Sequence, residues 1–157
     1  MSNYIKLECR ANTENELMVR YMVGFFLSTI NPTINELTEI KTIISEAMIN
    51  SIIHGYENSE DGKIVVEMEL IDHTLLLLIK DYGCGIDDLN LAKQPLYTTK
   101  PELERSGMGI TIMESLADSF EILSKKDEGT TVKVSKTFRG SNDFNNWFNS
   151  IGTKRGW

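Results

Sequence analysis

The sequence is short of the residues that build metal sites, membrane spans and nucleic-acid surfaces. It holds two cysteines and two histidines in 157 residues. Cys9 and Cys84 have no metal-like spacing. They could pair, but the opening Met1 to Arg10 has no signal-peptide core, so the two read more simply as reduced thiols of a cytoplasmic protein. His54 and His73 are too few for a histidine-based zinc site. No apolar run approaches the ~20 residues of a membrane-spanning helix. Basic charge is scarce too, with 16 Lys and Arg against 23 Asp and Glu and a net charge of −7. That balance argues against a nucleic-acid binder, which normally presents a basic face, and allows steering towards basic protein surfaces. There is no Rossmann G-x-G-x-x-G and no Walker G-K-[ST]. A soluble domain with an ordinary composition, 41% hydrophobic and 25% charged, is what remains.

Periodicity lays out the elements. Tyr4 to Cys9 alternates and predicts an edge strand. Thr13-Glu14-Asn15-Glu16 has the capping-box pattern, so a helix is expected from about Glu14, with Leu17, Tyr21 and Phe25 at helical spacing joined by Met18, Met22 and Phe26. Asn31-Pro32 breaks it, and Thr33-Ile34-Asn35-Glu36 opens a longer helix reaching roughly His54. Ile64, Val66, Met68 and Leu70 alternate after the turn at Asp61-Gly62, predicting a strand. Leu75 to Ile79 is an unbroken apolar run, as expected of a central strand covered on both faces or deeply buried. Asp81 to about Ser106 has little periodicity and reads as a long functional loop. A third helix fits Ile110 to Ala117, and a hairpin turned at Asp127-Glu128-Gly129 joins Phe120–Ser124 to Thr130–Phe138. This order predicts an α+β two-layer sandwich with helices on one face of a mixed, mostly antiparallel sheet. The chain divides into a domain over 1–138 and a tail over 139–157, where Phe144, Trp147, Phe148 and Ile151 mark a short amphipathic helix.

Three groups of residues carry chemistry. Glu46, Asn50 and His54 recur at i, i+4, i+8, a polar stripe on an otherwise apolar helix. A lone polar residue there is usually solvated; three in register, followed by Gly55, point to a site lining. A glutamate can serve as general base and an asparagine oxygen as a hard ligand for Mg²⁺. Asp81-Tyr82-Gly83-Cys84-Gly85 follows the buried strand. Its glycines permit close backbone approach to a flat ligand, and its carboxylate can accept from an amino group, though by itself this motif is better read as a tight turn after a strand. Gly107-Met108-Gly109 opens a helix, where free N–H groups make an anion site.

Together and in this order, over about Tyr4 to Phe138, the three groups resemble the GHKL (Bergerat-fold) ATPase and kinase family. The resemblance implies ATP and Mg²⁺ as cofactors. It makes Glu46 the base, Asn50 the Mg²⁺ ligand, and Asp81 with Gly83 and Gly85 the adenine site. The segment from about Ile86 to Ser106 becomes a lid. Thr98, Thr99, Arg105, Ser106, Gly107, Met108 and Gly109 then serve the phosphates, and Thr130 stands beside adenine. Glu36 to Lys41, Ser45-Glu46-Ala47, Ile53 to Tyr56 and above all Pro95 to Gly109 are similar to the sporulation anti-sigma-F factors of endospore-forming bacteria. That similarity implies a homodimer that holds an RNA polymerase sigma factor inactive and phosphorylates a serine of an anti-anti-sigma protein, with Arg20 as a partner contact. Met48-Ile49 departs from the smaller or more polar residues usual there, and the tail is not part of the pattern. The competing readings are an ATP-shaped binding module without phosphotransfer, which would not need Glu46 as a base, and another GHKL ATPase.

Overall fold

Alternating apolar and polar residues build the sheet on which everything else is mounted. In the computed structural model, which describes residues 2–59, 61–92, 94 and 108–140, the strands are β1 (Ser2–Arg10), β2 (Lys63–Ile71), β3 (Thr74–Asp81), β4 (Ser119–Lys125) and β5 (Gly129–Thr137). They stand in the order β1-β2-β3-β5-β4. Every described pairing is antiparallel. The expected α+β sandwich is therefore present, and its sheet has no parallel pair among the described residues. β3 and β4 run in the same direction, but β5 lies between them, so the crossover from β3 to β4 never places parallel neighbours side by side.

The inward face is apolar. Ile64, Val66 and Met68 of β2, Leu75, Leu77 and Ile79 of β3, and Val132 and Val134 of β5 are buried against the helical layer. That layer is α1 (Thr13–Phe26), α2 (Ile34–Asn50) and α4 (Gly109–Leu116); a single turn, α3 (Leu89–Ala92), lies in the stretch expected to be loop. The outward face carries Lys6, Glu67, Leu78, Lys133 and Glu121 in cross-strand register. Lys6 pairs with Glu67 at 2.7 Å and Lys133 with Glu121 at 3.1 Å. With no described helix on this side, the apolar run of β3 is covered on one face only, and Leu76 stays 42% exposed. Its continuity reflects a central place in the ladder rather than double burial.

α1 departs from its expected start and face. Asn12, not Thr13, is the N-cap, its side chain accepting from the Asn15 N–H at 2.9 Å. Glu16 consequently leaves the capping role and is buried beside Arg20, Oε1 to Nε 3.0 Å. The helix packs through Val19 and Val23, whereas the stripe Leu17, Tyr21, Phe25 faces outward. β-Branched valines on the opposite side fill the narrow space above the sheet, and the larger side chains are turned away from it.

α2 starts as expected. Thr33 accepts from the Glu36 N–H, and the Glu36 carboxylate accepts from the Thr33 N–H at 2.8 Å, a complete capping box. Glu36 Oε1 also accepts from the Arg139 N–H at 2.6 Å. Burial alone would raise the Glu36 pKa, but the Thr33 and Arg139 donors outweigh it and hold the carboxyl below its ordinary range. Thr33→Ala is expected to cost about 0.5–2 kcal/mol, read from the denaturant midpoint. A depressed folded-state pKa stabilises above the unfolded value, and that contribution is lost as pH falls through the folded one. The stability gap between the parent and Glu36→Gln is therefore expected to be open at neutral pH and to close on acidification below the usual carboxylate range.

Candidate functional site

The site is built where α2 ends. Glu46 and Asn50 lie on its last turns, after which Ser51–Gly55 winds as a π-helix, with the Tyr56 N–H donating to the Ser51 carbonyl at 2.9 Å. Ser51 still continues α2, its N–H donating to the Ala47 carbonyl, and is buried against the end of β3. There Asp81 is 3% exposed and takes three hydrogen bonds. Ser51 Oγ donates to Oδ2 at 2.8 Å. The Gly83 and Thr130 N–H groups donate to Oδ1 at 3.0 and 3.1 Å. Burial pushes the Asp81 carboxyl above its ordinary range, partly countered by these donors. A carboxylate has about four acceptor positions, so one remains for a ligand N–H.

The glycines of the D-x-G-x-G turn are required first by the protein's own backbone. A Cβ on Gly83 would stand 2.1 Å from the Gly55 carbonyl oxygen, which accepts from the Cys84 N–H at 2.9 Å. Gly85 has φ +69° and presses on the Lys125 carbonyl. Gly85 lines the cavity beside Asp81; Gly83 is not among its lining residues.

That cavity measures about 470 Å³, within the range of small-molecule sites. Its polar groups include Asn50, Ser51, Asp81 and Thr130, and its walls include Ala47, Ile79, Ile110 and Val132. A flat heterocycle with an exocyclic amino group fits this pattern of apolar walls around one buried acceptor. Ser124 Oγ accepts from the Ile86 N–H and lies 3.1 Å from the Gly129 carbonyl oxygen and 2.8 Å from the Thr130 hydroxyl, so it holds the Thr130 side chain in place at the cavity.

Gly109, first residue of α4, closes the cavity on the side of α2. A Cβ on it would lie 2.8 Å from Glu46 Oε2 and 3.5 Å from Asn50 Oδ1, so the start of α4 stands directly against the Glu46 and Asn50 side-chain ends. Met108, the N-cap of α4, makes no side-chain capping bond. The helix thus starts beside a carboxylate and an amide without a cap from its own N-cap residue, and a helix N-terminus is suited to phosphate oxygens. Glu46 does not itself line the cavity; it stands behind Gly109.

Of the residues singled out in the sequence, Asn50, His54, Gly55, Asp81, Gly85, Gly109 and Thr130 come together in this cavity, with Glu46 at its edge. Thr98, Thr99, Arg105, Ser106 and Gly107 lie outside the described residues. Arg20, on α1, does not line the cavity. Sequence reasoning missed Ser51 and Ser124. A buried serine directly after Asn50, inside an isoleucine-rich run, was the available signal for the first; the second owes its role to pairing in the β4–β5 hairpin, which no local pattern announces.

The fold and this cavity define an ATP-binding domain of the histidine kinase-like class. The family model for the histidine kinase-like ATPase domain matches residues 9–136. The chain is 52% identical to the anti-sigma F factor of Bacillus velezensis and 50% identical to that of Bacillus subtilis, each over 87% of this chain and 93% of the relative. It is 47% identical to the anti-sigma F factor of Clostridium perfringens, over 87% and 97%. Among solved structures, the RsbU and RsbW domains of a Mycobacterium tuberculosis protein superpose with a TM-score of 0.62 at 20% identity, covering 87% of this chain and 32% of that one. The catalytic domain of histidine kinase ThkA gives 0.51 at 14%, covering 87% and 97%. The chain belongs to the histidine kinase-like ATPase family, and within it to the anti-sigma F factors. No helix among the described residues is long and apolar enough to cross a membrane.

Removing the Asp81 carboxylate leaves a ligand N–H without its buried acceptor, which costs ~1–3 kcal/mol. Asp81→Ala is accordingly expected to weaken ATP binding about tenfold or more in the folded protein, measured by calorimetry. Unchanged affinity would remove Asp81 from the site.

Proposed function

We propose that this protein is an ATP-dependent serine protein kinase that also holds a sporulation sigma factor inactive in the cytoplasm. The observation that carries the kinase reading is the meeting of Glu46, Asn50 and Gly109 at the edge of the cavity that contains Asp81. A protein that only bound nucleotide would have no use for a carboxylate placed there.

ATP bound in the cavity supplies the phosphoryl group, and Mg²⁺ would be held through the Asn50 amide oxygen. Among the described residues no group of three acidic, His or Cys side chains could hold a metal alone, so the cation would depend on Asn50 and the nucleotide's own oxygens. The chain's own work is to position and to accept a proton. Asp81, oriented by Ser51 and by the Gly83 and Thr130 N–H groups, selects an amino-bearing base. The start of α4 receives phosphate oxygens. Glu46 accepts the proton of an incoming serine hydroxyl, which is a poor nucleophile at neutral pH. In this reading Thr98, Thr99, Arg105, Ser106, Gly107 and Met108 complete the phosphate side, and Gly83 shapes the adenine turn.

The serine is assigned to an anti-anti-sigma protein and the inhibited partner to an RNA polymerase sigma factor, by likeness to the anti-sigma F factors named above. We assign a homodimer on the same ground. Arg20 is the proposed partner contact. Glu16 fixes its Nε at 3.0 Å, which leaves further guanidinium donors for a carboxylate on a partner.

Glu46→Gln keeps size and most hydrogen bonding while removing basicity. It is expected to retain ATP and sigma-factor binding but to phosphorylate the serine partner at least about a hundredfold more slowly. Single-turnover transfer from labelled ATP measures this, and near-normal transfer would leave Glu46 a positioning residue only. Arg20→Glu is expected to weaken at least one partner complex several-fold while ATP affinity holds. If neither complex responds in a binding titration, α1 is not the docking face.

A further inference from the structure

One inward position of the sheet breaks the apolar pattern. Val132, Val134 and Lys136 alternate along β5 and all three are buried, so a lysine stands where the strand period calls for an apolar side chain. Lys136 is 6% exposed. A lysine is almost never buried this deeply without partners, and Lys136 has two. Its Nζ donates at 2.7 Å to the carbonyl of Leu116, the last residue of α4, and stands 2.6 Å from Glu39 Oε2 on α2. Its strand neighbours are held as well: the Asp118 N–H donates to the Ser135 carbonyl at 2.9 Å, and the Asp118 carboxylate accepts from the Thr137 N–H at 2.7 Å. Stability is a poor reason for such a lysine, because desolvation offsets much of the attraction and an apolar side chain of similar volume is often as good.

The two helices that Lys136 joins are the two that meet at the site. Glu39 precedes Glu46 by seven residues on α2, and Leu116 follows Gly109 by seven on α4. At the rise of an α-helix each span is about 10.5 Å. α2 and α4 pack side by side and run in opposite directions. They meet through Glu46, Asn50 and Gly109 at one end of this span and through Glu39, Lys136 and Leu116 at the other. Lys136 itself does not line the cavity.

We propose that Lys136 is a positioning residue for the phosphate side of the site, setting how the start of α4 seats against Glu46 and Asn50 from the far end of the same helix pair. A cation suits the last carbonyls of a helix, which have no partner within it. α4 is only eight residues long, so a tilt released at Leu116 is delivered at Gly109. Small displacements there matter, since a misplacement of about 1 Å at reacting groups can slow a reaction about a hundredfold. The adenine side is built differently. Asp81 takes its donors from Ser51, Gly83 and Thr130, none of them on α4. The inference rests on the reading above that the start of α4 receives phosphate oxygens.

Lys136→Met in the full-length chain keeps the stem and removes the ammonium. It is expected to weaken MgATP binding several-fold while adenosine binding is unchanged, both read by titration. Transfer to the serine partner at saturating ATP is expected to slow at least about tenfold. Glu39→Ala, at a part-exposed position where alanine favours the helix, cuts the same tie from α2 and is expected to shift the ratio of ATP to adenosine affinity in the same direction. If Lys136→Met does not fold, Glu39→Ala decides alone. A lower denaturant midpoint with that ratio unchanged would make the tie structural only and overturn the inference. An equal loss of both ligands would overturn it too, because the adenine side would then have moved. A parent chain that binds adenosine as tightly as MgATP would remove the phosphate reading of α4, and this inference with it. A parent preference for MgATP that the variants keep in full would overturn this inference alone.

Discussion

The carboxylate of Asp81 holds the site together because its three donors come from three separate parts of the fold. Ser51 arrives from the end of α2, Gly83 from the turn after β3, and the Thr130 N–H from β5. Burying a charge in an apolar interior is unfavourable without such partners, so the geometry of all three parts is coupled to one side chain. The π-turn at Ser51–Gly55 starts from this anchor. Ser51 itself continues the α geometry of α2, and the widened turn that follows it ends with Gly55 against Gly83. Ligand recognition and local folding are thus served by the same hydrogen bonds.

From that anchor the rest of the site extends along α2. Asn50 is one residue before Ser51, and Glu46 one turn earlier, so fixing the end of the helix also fixes both against Gly109. The sheet supplies rigidity from below. Its central strand β3 is paired on both sides, and the outward face is held by cross-strand ion pairs such as Lys6–Glu67, whose individual stabilisation is small because they are solvated.

Much of this was legible in the sequence, for identifiable reasons. The strands, the hairpin at Asp127–Gly129 and the capping box at Thr33–Glu36 follow from local patterns that the tertiary fold does not override. The polar stripe of α2 was visible because its surroundings are apolar. The face of α1 was not legible: Leu17, Tyr21 and Phe25 have core-like spacing, and only the packing of Val19 and Val23 decides which side is inside. The true N-cap of α1 was hidden because Asn12 and Thr13 are both good caps and a glutamate follows Thr13 at the right distance. Ser51 and Ser124 were missed because their roles exist only between distant segments. Of the two readings of the β3 run, deep burial holds for Leu75, Leu77 and Ile79 while cover on both faces does not, because a run of leucines records the strand's place in the ladder and not what lies on each face.

The π-turn also bears on how this sequence can vary in length. A π-helix accommodates one residue more than the α-helix it interrupts. Losing any one residue from Ser51–Gly55 would remove the residue that the wider turn absorbs and draw the chain after it back by one position. Gly55 would swing away from Gly83, and Tyr56, whose hydroxyl oxygen accepts from the Tyr82 N–H, would leave that bond unmade. Substitutions in this stretch trade one side chain for another, but a deletion would uncouple α2 from β3 altogether. The coupling of α2 to β3 therefore depends on the count of residues in this stretch as much as on their identity.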